Sequence, residues 1–116
     1  KKGAYKKMTV NQLITHLNPQ VLSLPEGDKT VRGCYTGDLL SWVMGRGEPG
    51  QVWITVQIHR NIVAVASLRE FSCIVIADGA EIPAEILEKA EEENIPVLAA
   101  DKPVFDLAKQ MVALGF

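Results

Sequence analysis

Apolar and polar positions alternate along residues 51–58 and then change period. Val52, Ile54, Val56 and Ile58 point one way and Trp53, Thr55 and Gln57 the other, the two-residue repeat of a strand. His59-Arg60-Asn61 interrupts the pattern. Residues 62–71 follow as an almost wholly apolar helix, broken only by Ser67, Arg69 and Glu70. Residues 73–77 (CIVIA) are a continuous apolar run, the signature of a parallel strand buried on both faces. Together these segments predict one parallel βαβ unit, with a polar corner where the strand gives way to the helix.

The remaining segments read as layers added to that unit. Thr9 with Gln12 fits a capping box, with Met8 and Leu13 as its hydrophobic staple and Val10, Leu13, Ile14 and Leu17 as the apolar stripe of a first helix. Asn18-Pro19 stops it, and His16 lies off the stripe. Residues 20–23 predict a short strand, Pro25-Glu26-Gly27-Asp28 a turn, residues 31–35 a second strand, and residues 39–44 a short helix closed by Gly45. Asp78-Gly79 turns the CIVIA strand into an amphipathic helix over residues 83–93, with Glu85 and Lys89 placed as an i,i+4 pair and Asn94 at its left-handed end. Residues 96–100 predict another strand. Asp101 is placed to cap a last helix, with Val104, Leu107, Ala108 and Met111 facing inward. The acid run Glu91-Glu92-Glu93 reads as a solvated face and not as a metal site.

This order of elements specifies an α/β domain with a mostly parallel sheet and helices on both faces. A helix without a polar half, as over residues 62–71, needs cover on two sides. The second cover is either a partner subunit, in a two-fold homodimer, or the terminal helix of the same chain; the pattern leaves both open.

Composition narrows the function classes. The 116 residues suit one domain, expected over residues 8–116 behind a basic tail, residues 1–7. A net charge of −2 argues against a nucleic-acid partner held by phosphate neutralisation. No run approaches the ~20 apolar residues of a membrane span, and no secretory signal pattern is present. Cys34 and Cys73 lie in apolar runs; they read as buried free thiols of a cytoplasmic protein, with pairing in an oxidising compartment as the alternative.

Ligands of parallel sheets bind beyond the carboxyl ends of the strands. Four such ends carry polar residues here: Thr36-Gly37-Asp38, Gln57 with His59-Arg60-Asn61, Asp78-Gly79, and Asp101-Lys102. Parallel strands would bring them to one rim, where Arg60 offers a fork suited to phosphate or carboxylate and His59 a pH-sensitive donor. The competing role for Asp38, Asn61 and Asp101 is plain helix capping. The catalytic inventory is thin. Ser41, Ser67 and Ser72 lack an adjacent base, and the two histidines and two cysteines lack metal-ligand spacing. The loop over residues 45–50 (GRGEPG) lacks the lysine and hydroxyl of a phosphate-binding P-loop. No catalytic residue, metal site or cofactor is assigned.

The spans MTVNQLITHLNPQVL, VRGCYTGDLLSWVMG, VWITVQIHRNIVAVASLREFSCIVIADGAEIP and IPVLAADKPVFDLA resemble a DRTGG domain over residues 8–114. That family is similar to the N-terminal domain of HPr kinase/phosphorylase. Related copies serve as regulatory modules in some phosphotransacetylases and in some inorganic pyrophosphatases that also carry cystathionine-β-synthase-type domains. Of the family's Asp-Arg pair only Arg60 is kept, with His59 before it. Of its Thr-Gly-Gly turn only Gly79 is kept, after Ala77-Asp78. The resemblance implies a three-layer αβα sandwich used for regulation and assembly. It does not imply kinase activity, although single-domain versions are often named serine kinases of HPr, because in that enzyme the nucleotide-binding loop belongs to a separate C-terminal domain. The expectation is a non-catalytic regulatory module, a homodimer, in which Arg60, His59 and Asn61 hold a nucleotide or phosphorylated metabolite while Gly37, Asp38, Asp78 and Gly79 shape the pocket. The alternatives are a protein-interaction adaptor acting through exposed Trp42 and Trp53, and an enzyme with an unrecognised site.

Overall fold

Thr9 and Gln12 close the first helix reciprocally. The Thr9 hydroxyl accepts the Gln12 N–H at 3.2 Å, and the Gln12 side chain accepts the Thr9 N–H at 2.9 Å. Helix α1 (Val10–Leu17) follows, and ends where Asn18 turns left-handed at φ 52°. Met8 and Leu13, the expected staple, are both buried in one cluster. A computed structural model of the chain describes residues 8–116; the basic segment 1–7 lies outside the described residues.

The elements then run β2 (Gln20–Ser23), β3 (Thr30–Val31), β4 (Gly33–Thr36), α2 (Leu40–Arg46), β5 (Gln51–Thr55), α3 (Ile62–Leu68), β6 (Cys73–Ile76), α4 (Ala84–Glu92), β7 (Val97–Ala99) and α5 (Val104–Ala113), with β1 (Met8–Thr9) ahead of α1. The main sheet has the order β2-β7-β6-β5-β4. Strands β4 to β7 are parallel, and β2 lies antiparallel on the β7 edge. β1 and β3 form a separate antiparallel pair.

Three successive crossovers step across the sheet in one direction, from β4 to β7. Crossovers of one hand place their helices on one face. Accordingly Val43 of α2, Ile62 and Ala66 of α3 and Ile86 and Ala90 of α4 pack with Trp53, Ile74, Ile76 and Val97. The other face, Val52, Ile54, Cys73, Val75 and Leu98, is covered by Val10, Leu13 and Leu17 of α1 and Leu107 and Met111 of α5. This is the three-layer αβα sandwich.

The structure corrects several local expectations. Residues 31–35 do not form one strand: Val31 pairs with Met8 and Gly33 with Gln51, so the segment changes sheets at Arg32. Helix α2 runs through Gly45 to Arg46. β5 stops at Thr55 because the next amides turn to side chains, Val56 N–H to Asp38 and Gln57 N–H to the Thr55 hydroxyl. α3 ends at Leu68, just before Glu70 takes a left-handed φ of 57°. Lys89 pairs with Glu92 at 3.7 Å and Glu93 at 3.5 Å, with no Glu85 contact, and the acid run is partly engaged: Glu91 accepts from Ser23 and Glu93 from Ser67.

Two corrections bear on function. Helix α3 has its second cover from α2 and α4, beside it in the same layer, and not from α5, which lies on the opposite face. Its apolarity therefore no longer argues for a partner subunit. Trp53 is fully buried, its ring 5.6 Å from that of Phe71, so of the two tryptophans Trp42, 55% exposed, is the one that presents its ring to solvent.

The cysteines stay apart for a geometric reason. Cys34 is opposite Val52, and Val52 is opposite Cys73, so the two sulfurs sit on strands either side of β5. Two strand spacings put their Cα atoms about 10 Å apart, beyond the ~7 Å limit of a disulfide. Burial pushes the Cys34 thiol up to about 11 and, with Cys34 nearby, the Cys73 thiol up to about 12.

Candidate functional site

Because β4, β5, β6 and β7 are adjacent and parallel, their carboxyl ends lie along one rim. Gly37-Asp38, the segment 57–61, Asp78-Gly79 and Asp101-Lys102 follow in that order, about 14 Å from first to last at the usual strand spacing. The rim divides into two halves.

In the first half, polar contacts run from the end of β4 to the first turn of α3. Trp53 donates its indole N–H to the Gly37 carbonyl at 2.9 Å. Asp38 Oδ1 accepts the Thr55 hydroxyl at 2.7 Å and the Val56 N–H at 2.9 Å, and the Asp38 carbonyl accepts the Gln57 side-chain amide at 3.2 Å. The Gln57 side-chain oxygen accepts the His59 N–H at 3.0 Å, and His59 Nδ1 accepts the Asn61 N–H at 3.0 Å. With Nδ1 used as an acceptor in this contact, Nε2 is the ring nitrogen left to meet a ligand. Arg60, between these anchored neighbours, is exposed and its side chain has no hydrogen bond or ion pair among the described residues.

In the second half, Asp78 and Gly79 both adopt left-handed conformations, φ 59° and 67°. The Asp78 N–H donates to the Lys102 carbonyl at 2.8 Å and the Gly79 N–H to the Ala100 carbonyl at 3.4 Å, joining the loops after β6 and β7. A Cβ at Gly79 would lie 2.8 Å from Asp101 Oδ1, so glycine is favoured by its φ, and a larger residue would also make the Asp101 carboxylate shift. From here α4 leaves to one face and α5 to the other. A crevice between strands whose helices diverge is the switch point where open α/β sheets take ligands. Beside it lies a cavity of about 350 Å³ lined by Asn18, Gln20, Gly79, Asp101 and Lys102.

Helix capping explains none of the three residues for which it was the competing role. The N-cap residues of α2, α3 and α5 are Leu39, Asn61 and Pro103, none with a side-chain cap bond. The Asp38 carboxylate instead binds across to β5. Among the described residues no hydrogen bond or ion pair links Arg60, His59 or Asn61 to Asp78 or Gly79. The residues singled out in the sequence thus share a rim without forming one cluster.

Sequence reasoning missed Thr55, the hydroxyl through which Asp38 reaches β5, and Asn18 and Gln20, which reach the cavity from the α1–β2 corner. The signal for Thr55 was its place as the only hydroxyl in an otherwise apolar strand. Asn18 and Gln20 had none, because β2 is brought to β7 by an antiparallel pairing that local pattern does not reveal. Among the described residues no three acidic, His or Cys side chains converge as a metal site. No helix among them is long and apolar enough to cross a membrane.

A family model described as "DRTGG domain" matches residues 12–114. Among solved structures, the CBS and DRTGG domains of the regulatory region of Clostridium perfringens pyrophosphatase, complexed with the activator diadenosine tetraphosphate, superpose with a TM-score of 0.74 at 18% identity. The alignment covers 90% of this chain and 46% of that one, so this chain spans about half the length of that regulatory region. At this identity the likeness shows the fold. No curated protein matches the chain.

Proposed function

The chain belongs to the DRTGG domain family, and on that premise we propose that it is a non-catalytic regulatory module whose carboxyl-end rim senses a small anion, a nucleotide or phosphorylated metabolite. The observation that carries this reading is the crevice at Asp78-Gly79 and Asp101-Lys102, where α4 and α5 diverge, beside the loop that displays an unpaired Arg60. Arg60 supplies a bidentate fork for phosphate oxygens, His59 an Nε2–H donor, and Asn61 a side-chain amide. Gly37 and Asp38 hold the Arg60 loop in place. Asp78 and Gly79 let the backbone come close to the ligand. The pyrophosphatase regulatory region, crystallised with a dinucleoside polyphosphate activator, supports the choice of ligand class.

Thermal unfolding against nucleotides and phosphorylated metabolites tests the proposal. A ligand at 100 times its dissociation constant adds about 2.7 kcal/mol, several degrees for a domain of this size. The shift should appear for one ligand class and vanish in Arg60→Ala. A shift retained in Arg60→Ala removes Arg60 from the site, and a flat panel removes the sensor reading.

A second reading rests on Leu39 and Trp42, 61% and 55% exposed at the start of α2, with the Arg46 guanidinium 4.2 Å from the Trp42 ring. Exposed aromatic and arginine side chains are the residue types that anchor interfaces. This face is the place for the homodimer contact or for a protein partner, and sedimentation of Trp42→Ala against wild type separates an associating surface from an inert one.

A further inference from the structure

At the opposite rim, where the strands begin, the structure holds a second cleft of about 400 Å³. One wall is the β3–β4 segment. The other is made by the C-terminal turns of α3 and α4, and Phe71 and Ile95, 1% and 2% exposed, form the floor.

Gly50 joins the walls. Its carbonyl accepts the Arg32 N–H at 2.8 Å, and its own N–H donates to the Glu70 carbonyl at 2.9 Å. Gly50 has φ +83°, and a Cβ there would lie 2.8 Å from Arg32 Cδ, so the stem of Arg32 lies across the glycine. Glu70 is held left-handed at φ 57°, a conformation unfavourable for a residue with a side chain. Arg32 and Glu70 are therefore set on either side of one residue, Gly50, both exposed, and neither side chain has an ion-pair partner among the described residues.

The charge of the cleft is divided. Arg32 is the cation without a partner on the first wall; Lys29, also on it, donates to the Asn94 carbonyl and lies 3.9 Å from the Glu26 carboxylate. The second wall carries Glu70 and Glu93 at the carbonyl ends of two helices, where partial negative charge favours a cation. Glu93 is engaged by Lys89 and Ser67, which leaves Glu70 as the free carboxylate. A simple anion would meet the Glu70 wall and a simple cation the Arg32 wall; a dipolar molecule satisfies both.

We propose that this cleft is a binding site for a small zwitterion, a free α-amino acid, with its carboxylate on the Arg32 guanidinium and its ammonium on Glu70 and the carbonyl end of α3. The site is separate from the carboxyl-end rim and goes beyond the function proposed for it.

The test screens each standard L-amino acid at saturating concentration for thermal stabilisation of the full chain. The strongest is carried to titration calorimetry beside its carboxamide, which lacks the carboxylate, and its deaminated acid, which lacks the ammonium. Each analogue should bind about tenfold more weakly or worse, as expected when one charge-assisted partner is lost. Arg32→Gln should abolish the preference over the carboxamide, and Glu70→Gln the preference over the deaminated acid. Both positions are exposed, and circular dichroism checks that the variants fold. No stabilisation by any amino acid, equal binding of the analogues, or variants that bind as wild type would each overturn the proposal.

Discussion

The Asp38 carboxylate accepts a hydrogen bond from the Thr55 hydroxyl at 2.7 Å, and through that contact the loop after β4 is tied to the end of β5. Thr55 is fully buried while Asp38 is exposed, so the bond forms at the boundary between core and rim. Everything beyond Thr55, up to the corner that displays Arg60, is oriented from this junction. In the proposed site Asp38 acts as a positioning residue, its carboxylate bonded to Thr55 and Val56.

Removing that junction should cost stability and loosen the site together. Asp38→Ala leaves the buried Thr55 hydroxyl and the Val56 N–H without their acceptor, a loss of about 1–3 kcal/mol. Thr55→Val leaves Asp38 in water and takes the acceptor from one amide, Gln57 N–H, so it should cost less than Asp38→Ala, which orphans a fully buried hydroxyl and an amide. Urea unfolding of both single variants and the double variant gives the coupling, expected at about 0.5–3 kcal/mol for residues in one network.

Two glycines should respond oppositely to alanine. Gly79→Ala meets Asp101 at 2.8 Å and keeps φ +67°, and should destabilise by about 1–3 kcal/mol. Adding Asp101→Ala should relieve the clash and not the backbone strain, recovering only part of the loss. Gly45→Ala lies inside α2 with nothing within 4 Å of the new Cβ, and should stabilise by about 0.5–1 kcal/mol. Midpoints of thermal unfolding for the three variants check all of this.

The two tryptophans should separate stability from association. Trp53→Phe removes the indole bond to Gly37 and part of the packing on Phe71, a loss of about 2–4 kcal/mol. Trp42→Ala, on the exposed face of α2, should change stability by less than about 0.5 kcal/mol. Its effect, where there is one, belongs to sedimentation and not to the unfolding curve.

The cysteines set a pH dependence at the alkaline end. Burial holds both thiols neutral in the fold, Cys34 to about 11 and Cys73 to about 12, against 9.0 for an unperturbed thiol. A raised native value means that the unfolded chain ionises first. Their contribution is therefore complete below pH 9.0 and is lost as pH rises toward 11 and 12. Cys34→Ser should remove part of that alkaline slope. Iodoacetamide at pH 8 should label the native protein slowly and the unfolded chain fast, and oxidant should produce no intramolecular disulfide.

Much of this fold was legible in the chain because local chemistry and global pattern agree. Thr9 and Gln12 announce a helix start, CIVIA a doubly buried strand, and Asn18 and Asn94 the left-handed ends of helices. What was not legible depends on distant pairing. The apolar face of α3 shows that cover is needed, but the choice of α2 and α4 over α5 follows from the direction in which the crossovers step. Trp53 lies in an alternating strand that reads as half exposed, yet both faces of that strand are covered. The candidate site shows the same division. The rim followed from the parallel strands, while its split into a β4–β5 half and a β6–β7 half depends on side-chain bonds, Asp38 to Thr55 above all, that no spacing in the sequence encodes.

The most direct test of the central claim is a titration of isotope-labelled protein with diadenosine tetraphosphate and with ATP, followed by backbone amide shifts in nuclear magnetic resonance. The account predicts that amides of residues 59–62 and 78–80 move together and saturate with one dissociation constant, because one anion bridges the two halves of the rim. Shifts confined to only one half, shifts elsewhere on the molecule, or no shifts with either nucleotide would contradict it.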